Sequence, residues 1–202
     1  MHIIIDYGVG NIGSVCAAFQ RVGMDIKLSS DREEIRNAKS LILPGVGAFG
    51  DAIDKMKKKH FIEDVYHAID QGAWLLGICL GMQLLYEKSE EHGNHIGMGL
   101  LEGEIKHLEI PLRIPHLGWN QLDIKDQNHP LLKFVKNGEY VYYIHSYYAE
   151  TPGKEILATS HYGIEVPGIV HKDRVFGMQF HPEKSGDVGH RLLMGYKEMV
   201  EE

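Results

Sequence analysis

Short apolar runs alternate with amphipathic segments along the first half of the chain. The apolar runs predict strands at His2–Asp6, Ile26–Ser29, Ser40–Leu43 and Trp74–Ile78. The amphipathic segments predict helices that end near Val22, begin after Asp31, span Phe61–Gln71 and span Leu80–Lys88. Strands that alternate with helices pair in parallel, so this half predicts a doubly wound, mostly parallel α/β sheet.

The pattern changes after about Gly97, where strand-like runs follow one another with little helix between them. These runs are Gly103–Leu108, Trp119–Ile124, Glu139–His145, Ile156–Ser160 and Gly168–His171, before a last strand Val175–Phe180 and a helix Val188–Val200. This order predicts a mixed or antiparallel strand extension on the parallel core. No repeat or low-complexity linker interrupts the chain, so we expect residues 1–202 to form a single domain.

The predicted strand Trp74–Ile78 leads directly into a cysteine at the start of the helix predicted from Leu80. Cys79 therefore falls on a tight turn, and Gly77 and Gly81 leave room on both sides of it. The positive end of a helix dipole favours the thiolate form of a cysteine. This nucleophile-elbow arrangement predicts that Cys79 is a nucleophile rather than an inert buried thiol.

A second candidate segment lies where the predicted strand Val175–Phe180 ends. His181 and Glu183 flank Pro182, which fixes the backbone and stops the strand, so both side chains are expected at the same rim of the sheet. An imidazole there could exchange a proton with a thiol, and a carboxylate could hold its tautomer and orientation. We therefore predict His181 and Glu183 as the partners of the cysteine nucleophile.

Composition narrows the class of protein only a little. The chain has 44% hydrophobic and 24% charged residues, as is ordinary for globular domains, and its net charge of −7 argues against a general nucleic-acid binder. The basic run Lys57–Lys59 is interpreted as a solvated helix face. No apolar segment reaches the about 20 residues needed to span a bilayer. The N-terminus lacks a basic signal region, and two cysteines are too few for a disulfide framework, so we expect a cytoplasmic protein. Cys16 stands in the apolar helical stretch Ser14–Val22, and we expect it to be a core residue.

The two candidate segments carry a family resemblance. GICLGMQLL and QFHPEKSG resemble the class I glutamine amidotransferases, whose glutaminase site is a Cys-His-Glu triad. DYGVGNIGS, LPGVGAFGDA, PHLGWN and YIHSYY narrow the resemblance to the glutaminase subunits of imidazole glycerol phosphate synthase. The resemblance extends from residue 3 to about residue 195 and implies the flavodoxin-like fold of that family.

A thiolate that attacks the carboxamide of glutamine creates an oxyanion, which needs two N–H donors. The Leu80 N–H at the helix start is one expected donor, and the loop that contains Val46 and Gly47 is the expected source of the other. The resemblance implies a glutamine pocket lined by Gly45, Gln83, Glu91, His145, Ser146 and Tyr147. It implies neither a metal nor another cofactor.

The resemblance also implies a partner. The resembled subunits form a heterodimer with a (β/α)8 cyclase subunit, which receives the ammonia and converts a ribulose-phosphate nucleotide into imidazole glycerol phosphate and an aminoimidazole carboxamide ribotide in histidine biosynthesis. Asn11, Tyr142 and Lys184 match family positions at that interface. The family usually has proline where this chain has Val9, which implies a less rigid loop there.

Three other functions remain open from the sequence. Gly8, Gly10 and Gly13 satisfy the spacing of a dinucleotide-binding loop, with Asp31 eighteen residues beyond, which is the pattern of a hydride-transfer enzyme. Asp31 is nevertheless expected at a helix start rather than at a strand tip that faces a ribose. A catalytically dead regulatory subunit would keep the fold, but the triad argues against it. A close paralogue that supplies ammonia to a related barrel in sugar modification fits the same motifs.

Overall fold

The computed structural model describes all 202 residues and contains fourteen strands in three sheets. In chain order the strands are β1 (His2–Ile5), β2 (Ile26–Ser29), β3 (Ser40–Leu43), β4 (Trp74–Ile78), β5 (Tyr86–Ser89), β6 (His95–Ile96), β7 (Leu101–His107), β8 (His116–Gln121), β9 (Asp123–Ile124), β10 (Tyr140–His145), β11 (Tyr147–Glu150), β12 (Ile156–His161), β13 (Glu165–Lys172) and β14 (Val175–Met178). The largest sheet has eight strands in the order β2-β1-β3-β4-β14-β13-β12-β9. Its strands from β2 to β14 are parallel and the remaining three are antiparallel, which confirms the predicted mixed sheet.

Helices cover both faces of this sheet. They are α1 (Ile12–Arg21), α2 (Arg32–Arg36), α3 (Phe49–Lys58), α4 (Phe61–Asp70), α5 (Leu80–Leu84) and α6 (Gly186–Glu201). On β1, Ile3 and Ile5 join the core beneath α3 and α4, whereas Ile4 joins the core beneath α1 and α6. Successive side chains of a strand point to opposite faces, so one short strand contributes to both cores. None of the helices combines the length and apolar character required to cross a membrane.

Two smaller sheets form the predicted extension. One has four strands in the order β11-β7-β5-β6, and the other is the antiparallel pair β10-β8. The chain passes from β10 to β11 through Ser146. This connection places His145, Ser146 and Tyr147 beside the end of the main sheet that follows β4 and β14.

The helix predicted over Leu80–Lys88 is wrong in its second half. The helix ends at Leu84, and Tyr86–Ser89 forms β5. After this point the backbone carbonyls of Leu85 and Tyr86 accept hydrogen bonds from residues 99–101 instead of continuing the helical pattern. Leu84, Leu85 and Tyr86 are fully buried. A buried apolar run can be part of a helix or of a strand, so its apolar character alone did not distinguish the two.

The carboxyl ends of three neighbouring parallel strands bring the chemistry-bearing segments together. β3 is followed by the loop Pro44–Gly47, β4 by Cys79, and β14 by the segment that contains His181. Ligands of open α/β sheets bind at this carboxyl edge. The fold therefore provides a natural place for a site there.

Candidate active site

Cys79 lies on a strained turn between β4 and α5. Its backbone has φ 53° and ψ −111°, a region that residues with a Cβ rarely adopt. A Cβ on Gly81 would overlap the Leu43 carbonyl oxygen, and a Cβ on Gly77 would lie 2.6 Å from the Gly81 oxygen. The two glycines thus allow the turn to pack directly on the sheet, and the Cys79 residue remains 8% exposed.

His181 and Glu183 form a buried pair beside this turn. His181 Nδ1 lies 2.8 Å from Glu183 Oε1, and the two side chains are only 5% and 2% exposed. Because the carboxylate accepts, Nδ1 carries the proton, which leaves Nε2 for the thiol. Burial lowers the pKa of His181, but the interactions with Cys79 and Glu183 outweigh burial and raise this pKa to about 9. The arrangement favours the protonated form of His181 beside Cys79.

The loop after β3 approaches the cysteine from the other side. Val46, Gly47 and Leu80 line the same cavity as Cys79, as expected of oxyanion-hole donors. Gly47 has φ +100°, which a residue with a Cβ rarely adopts. The Leu80 N–H is at the first position of α5, where helix geometry leaves N–H groups without an intrahelical acceptor.

Gly45 has a different place from the one expected. It lies behind the loop, where an added Cβ would be 2.6 Å from the Tyr7 hydroxyl oxygen and 3.0 Å from Leu80 Cβ, and it is not among the cavity-lining residues. The Tyr7 hydroxyl donates to the Pro44 carbonyl over 2.7 Å and so anchors the loop from beneath. Gly45 therefore permits close packing of the loop, and it does not line the cavity.

The cavity has a volume of about 550 Å³ and contains the other expected pocket residues. Gln83, Glu91, His145, Ser146 and Tyr147 all line it. Glu91 also accepts a 2.7 Å hydrogen bond from the Phe49 N–H at the start of α3. A carboxylate at a helix N-terminus is favoured by the helix dipole, so this contact links the pocket to the end of the oxyanion loop.

The expected partner-interface residues fall at different distances from the cavity. Lys184 lines it, whereas Asn11 lies exposed at the start of α1. Tyr142 packs edge to face on Trp119, with ring centroids 5.6 Å apart, and Trp119 is 56% exposed. Together with Leu117, which is 53% exposed, Trp119 forms an apolar surface on β8.

Gln179 is a site residue that the sequence reasoning missed. It is fully buried, and its Nε2 lies 3.8 Å from Cys79 Sγ. The Gln83 Nε2 donates over 3.0 Å to both the Gln179 Oε1 and the Tyr147 carbonyl. The signal was present, since Gln179 begins the segment QFHPEKSG, but only tertiary structure shows that it contacts the thiol. His92, His107, Pro115 and Ile144 also line the cavity and were not predicted.

The glycine-rich loop after β1 does not have the features of a dinucleotide site. The third glycine of that fingerprint allows close packing between helix and strand, yet a Cβ on Gly13 would meet nothing within 4 Å. The Asp31 carboxylate caps α2 through the Glu33 and Glu34 N–H groups, at 2.8 and 3.1 Å. It is therefore occupied in stabilising a helix, which argues against the hydride-transfer alternative.

Cys16, the other cysteine, is half-buried at the edge of the core beneath α1 rather than inside it. Burial raises the pKa of its thiol, which disfavours the reactive thiolate. No group of three or more His, Cys, Asp or Glu side chains is arranged to hold a metal ion.

Comparison with known proteins gives consistent matches along the whole chain. The family model described as glutamine amidotransferase class-I matches residues 3–195. A Bacillus cereus protein named imidazole glycerol phosphate synthase subunit HisH is 47% identical over 100% of this chain and 96% of its own length. A protein of the same name from Caldanaerobacter subterraneus is 50% identical over 98% of this chain and 97% of its own length.

Solved structures show the same fold at much lower identity. One is described as a glutamine amidotransferase, with a TM-score of 0.77, 19% identity, and coverage of 98% of this chain and 97% of the other. A second, described as PurLQS from Thermotoga maritima, has a TM-score of 0.77, 17% identity and 98% coverage of both chains. These two matches support the architecture.

Proposed function

The chain belongs to the class I glutamine amidotransferase family, and from this premise we propose that Cys79, His181 and Glu183 are its catalytic triad. The enzyme is a glutaminase, and its function is that of the subunit that supplies ammonia within imidazole glycerol phosphate synthase. The observation that carries the site proposal is that the strained Cys79 turn and His181 line one cavity, while the buried Glu183 lies 2.8 Å from His181 Nδ1.

The residues suit a two-step acyl transfer. The Cys79 thiolate attacks the carboxamide carbon of glutamine, and the N–H groups of Leu80 and of the Val46–Gly47 loop stabilise the oxyanion. His181 gives its proton to the departing nitrogen, which leaves as ammonia. A water molecule, deprotonated by His181, then attacks the thioester carbonyl and releases glutamate and the thiolate.

The pocket has complementary groups for the rest of glutamine. The Glu91 carboxylate provides negative charge for the α-ammonium group. Both protons of the Gln83 amide nitrogen are already engaged by Tyr147 and Gln179, so its Oε1 is the atom left to accept from substrate. We assign His145, Ser146 and Tyr147 to the wall between these groups.

We further propose that the whole chain acts as one glutaminase domain that docks on a (β/α)8 cyclase subunit. Trp119, Leu117 and Val46 expose apolar side chains, Val46 at the cavity itself, and apolar patches of this kind mark docking surfaces. Asn11, Tyr142 and Lys184 would contribute the polar contacts, with Val9 in the loop beside Asn11. Docking over the cavity would pass ammonia to the cyclase without loss to water. The two free cysteines suit a cytoplasmic location.

The test compares the two cysteines in the complex of the chain with its cyclase partner. Cys79→Ser should abolish glutamine-dependent synthesis while synthesis from added ammonium salts continues, because only the glutaminase step needs the thiol. Cys16→Ser is the matched control and should retain glutamine-dependent activity. The wild-type gene, but not the Cys79→Ser gene, should rescue a histidine auxotroph that lacks this subunit. Rescue by Cys79→Ser on glutamine alone would refute the triad, and failure of the wild type would favour the paralogue in sugar modification.

A further inference from the structure

Two buried histidines, one in the pocket wall and one outside the lining, have no step in the mechanism above. His116 on β8 and His145 on β10 are direct partners in the antiparallel register and are 2% and 6% exposed. Their rings are joined by a 2.8 Å contact between His116 Nδ1 and His145 Nε2. A buried pair of titratable rings needs a defined proton arrangement, because each nitrogen either donates or accepts.

The neighbours fix this arrangement. His145 Nδ1 lies 2.8 Å from the Tyr147 carbonyl, which only accepts, so His145 Nδ1 carries a proton. In a neutral ring His145 Nε2 then accepts, and His116 Nδ1 is the donor. Burial lowers the pKa of His116 to about 4, and burial is also the main cause that lowers the pKa of His145 to about 3. Both rings are therefore neutral near pH 7.

Asn120 fixes the proton position of His116 from the side opposite His145. Its Nδ2 lies 3.3 Å from His116 Nε2 and donates to the His161 carbonyl over 3.0 Å, while its Oδ1 accepts from the Gln121 N–H. The amide can satisfy all three neighbours only in this orientation, which presents an N–H to His116 Nε2. The result matches the proton positions deduced from the Tyr147 end.

The Tyr147 carbonyl connects the two histidines to the catalytic thiol. The Tyr147 carbonyl accepts from His145 and from Gln83, and Gln83 donates to Gln179, which lies against Cys79 Sγ. A continuous set of hydrogen bonds thus runs from Asn120, three residues from exposed Leu117 and next to Trp119 on β8, to the reacting sulfur.

Stacking holds the His116 ring independently of these hydrogen bonds. The ring lies between Tyr143 and Tyr162, with centroid distances of 4.5 and 4.0 Å and interplanar angles of 19° and 13°. A phenylalanine could occupy the same slot without donating. The structure therefore allows the packing role of His116 to be separated from its hydrogen-bonding role.

We propose that His116 is a positioning residue of the glutaminase site, whose Nδ1–H holds His145 and, through the Tyr147 carbonyl, the Gln83 amide in the orientation that receives glutamine. This inference rests on the proposed glutaminase function. It predicts an effect on substrate binding, since Tyr147 and Gln83 line the pocket while the His181–Glu183 pair is held separately.

A matched pair of variants tests the proposal in the complex with the cyclase partner. His116→Phe keeps the stacked ring and removes the donor, whereas His116→Asn loses the stack and keeps an N–H near the position of Nδ1. We expect His116→Phe to raise KM for glutamine roughly tenfold with a smaller change in kcat, as for loss of one buried hydrogen bond. His116→Asn should keep KM within about threefold of wild type.

A purely structural role would give a different result. In that case His116→Asn would be the worse variant, and loss of folded protein would lower kcat at unchanged KM. An unchanged KM in His116→Phe, or equal KM increases in both variants, would overturn the proposal. Thermal unfolding of each variant shows which fraction is folded during the assay.

Nuclear magnetic resonance of the wild-type chain gives a readout that needs neither activity nor a folded variant. Proton–nitrogen spectra of the imidazole rings should show His116 and His145 as neutral, each protonated at Nδ1. A charged ring, or a His116 protonated at Nε2, would contradict the proposal. If the wild-type complex with the cyclase partner were inactive while the chain showed the expected tautomers, this would instead count against the glutaminase function and leave the proton arrangement established.

Discussion

Cys79, the proposed nucleophile, lies on a backbone turn that is itself strained. A positive φ for a residue other than glycine costs of order 1–3 kcal/mol and persists only where neighbouring structure enforces it. Here β4 on one side and the packing of α5 on the other fix the turn. The strain is thus part of how the thiol is held at the edge of the cavity.

This strain can be measured with Cys79→Ala and Cys79→Gly. Both variants lack the thiol and should be inactive, but glycine tolerates the conformation at φ 53°. We expect Cys79→Gly to be more stable than Cys79→Ala by about 1 kcal/mol, because relief of strain exceeds the entropic cost of glycine. Urea unfolding of the two variants measures the difference. An alanine variant at least as stable as the glycine variant would show that the turn is not strained.

Glu183 raises the proton affinity of His181, and its removal should be visible in the pH profile. With the pKa of His181 raised to about 9, the imidazolium stabilises the fold fully below the usual value of about 6.5, and this contribution is lost as pH rises towards 9. In Glu183→Gln the neutral amide still accepts from Nδ1 but no longer favours the charged ring.

We therefore expect the alkaline limb of the kcat/KM profile of Glu183→Gln to move to lower pH, with reduced but measurable activity. The stability that is lost as pH rises above about 6.5 should also be smaller in this variant, and the loss should be complete at a lower pH than in wild type. Stopped assays across the pH range and chemical unfolding at matched pH values test both statements. A profile identical to that of wild type would show that Glu183 does not tune His181.

At the scale of elements, the close approach of α5 to the sheet decides whether the site forms. Gly81 packs against the Leu43 carbonyl, where no Cβ fits. Gly81→Ala should destabilise the fold by about 3 kcal/mol and abolish activity, because the turn must shift away from β3. Gly13→Ala is the control, since its Cβ would meet nothing within 4 Å, and it should stabilise α1 by about 0.5 kcal/mol. Equal stabilities of the two variants would refute the packing argument.

The sequence predicted the central strands well and the short helix poorly. Ile26–Ser29, Ser40–Leu43 and Trp74–Ile78 match the structure at both ends, because short β-branched or leucine-rich runs between polar residues have few alternatives. The segment after Leu84 pairs with residues 95–105, and that pairing depends on contacts distant in sequence. Local pattern favoured a longer helix there because it contains no information about the partner strand.

At the scale of the whole molecule, the same distinction separates the predicted site residues from the missed ones. Cys79, His181 and Glu183 each follow a predicted strand at a turn marked by glycine or proline, and this local pattern predicted them. The structure brings all three together. Gln179, His116 and Asn120 stand in the quoted motifs, but their contacts are with residues up to 100 positions away, so the sequence does not show what each of them binds.

Activity of the chain without its partner should be low, because the loop that we propose as the source of the second oxyanion donor is not rigidly held at its tip. Gly47 has the φ of +100° and no atom within 4 Å of an added Cβ, and neighbouring Val46 is 44% exposed. Such a loop can reorient its peptide at little cost, and a partner that binds one orientation better shifts the population towards it. We expect glutamine hydrolysis to rise on the order of 100-fold when the cyclase subunit and its nucleotide ligand are added, which corresponds to about 2.7 kcal/mol of differential binding.

Steady-state ammonia release should be measured for the chain alone, with the cyclase, and with the cyclase plus its ligand, and Cys79→Ser gives the background in each case. If the chain alone hydrolyses glutamine as fast as the loaded complex, the loop forms a complete oxyanion hole without its partner, and the apolar surface around Trp119 serves docking only.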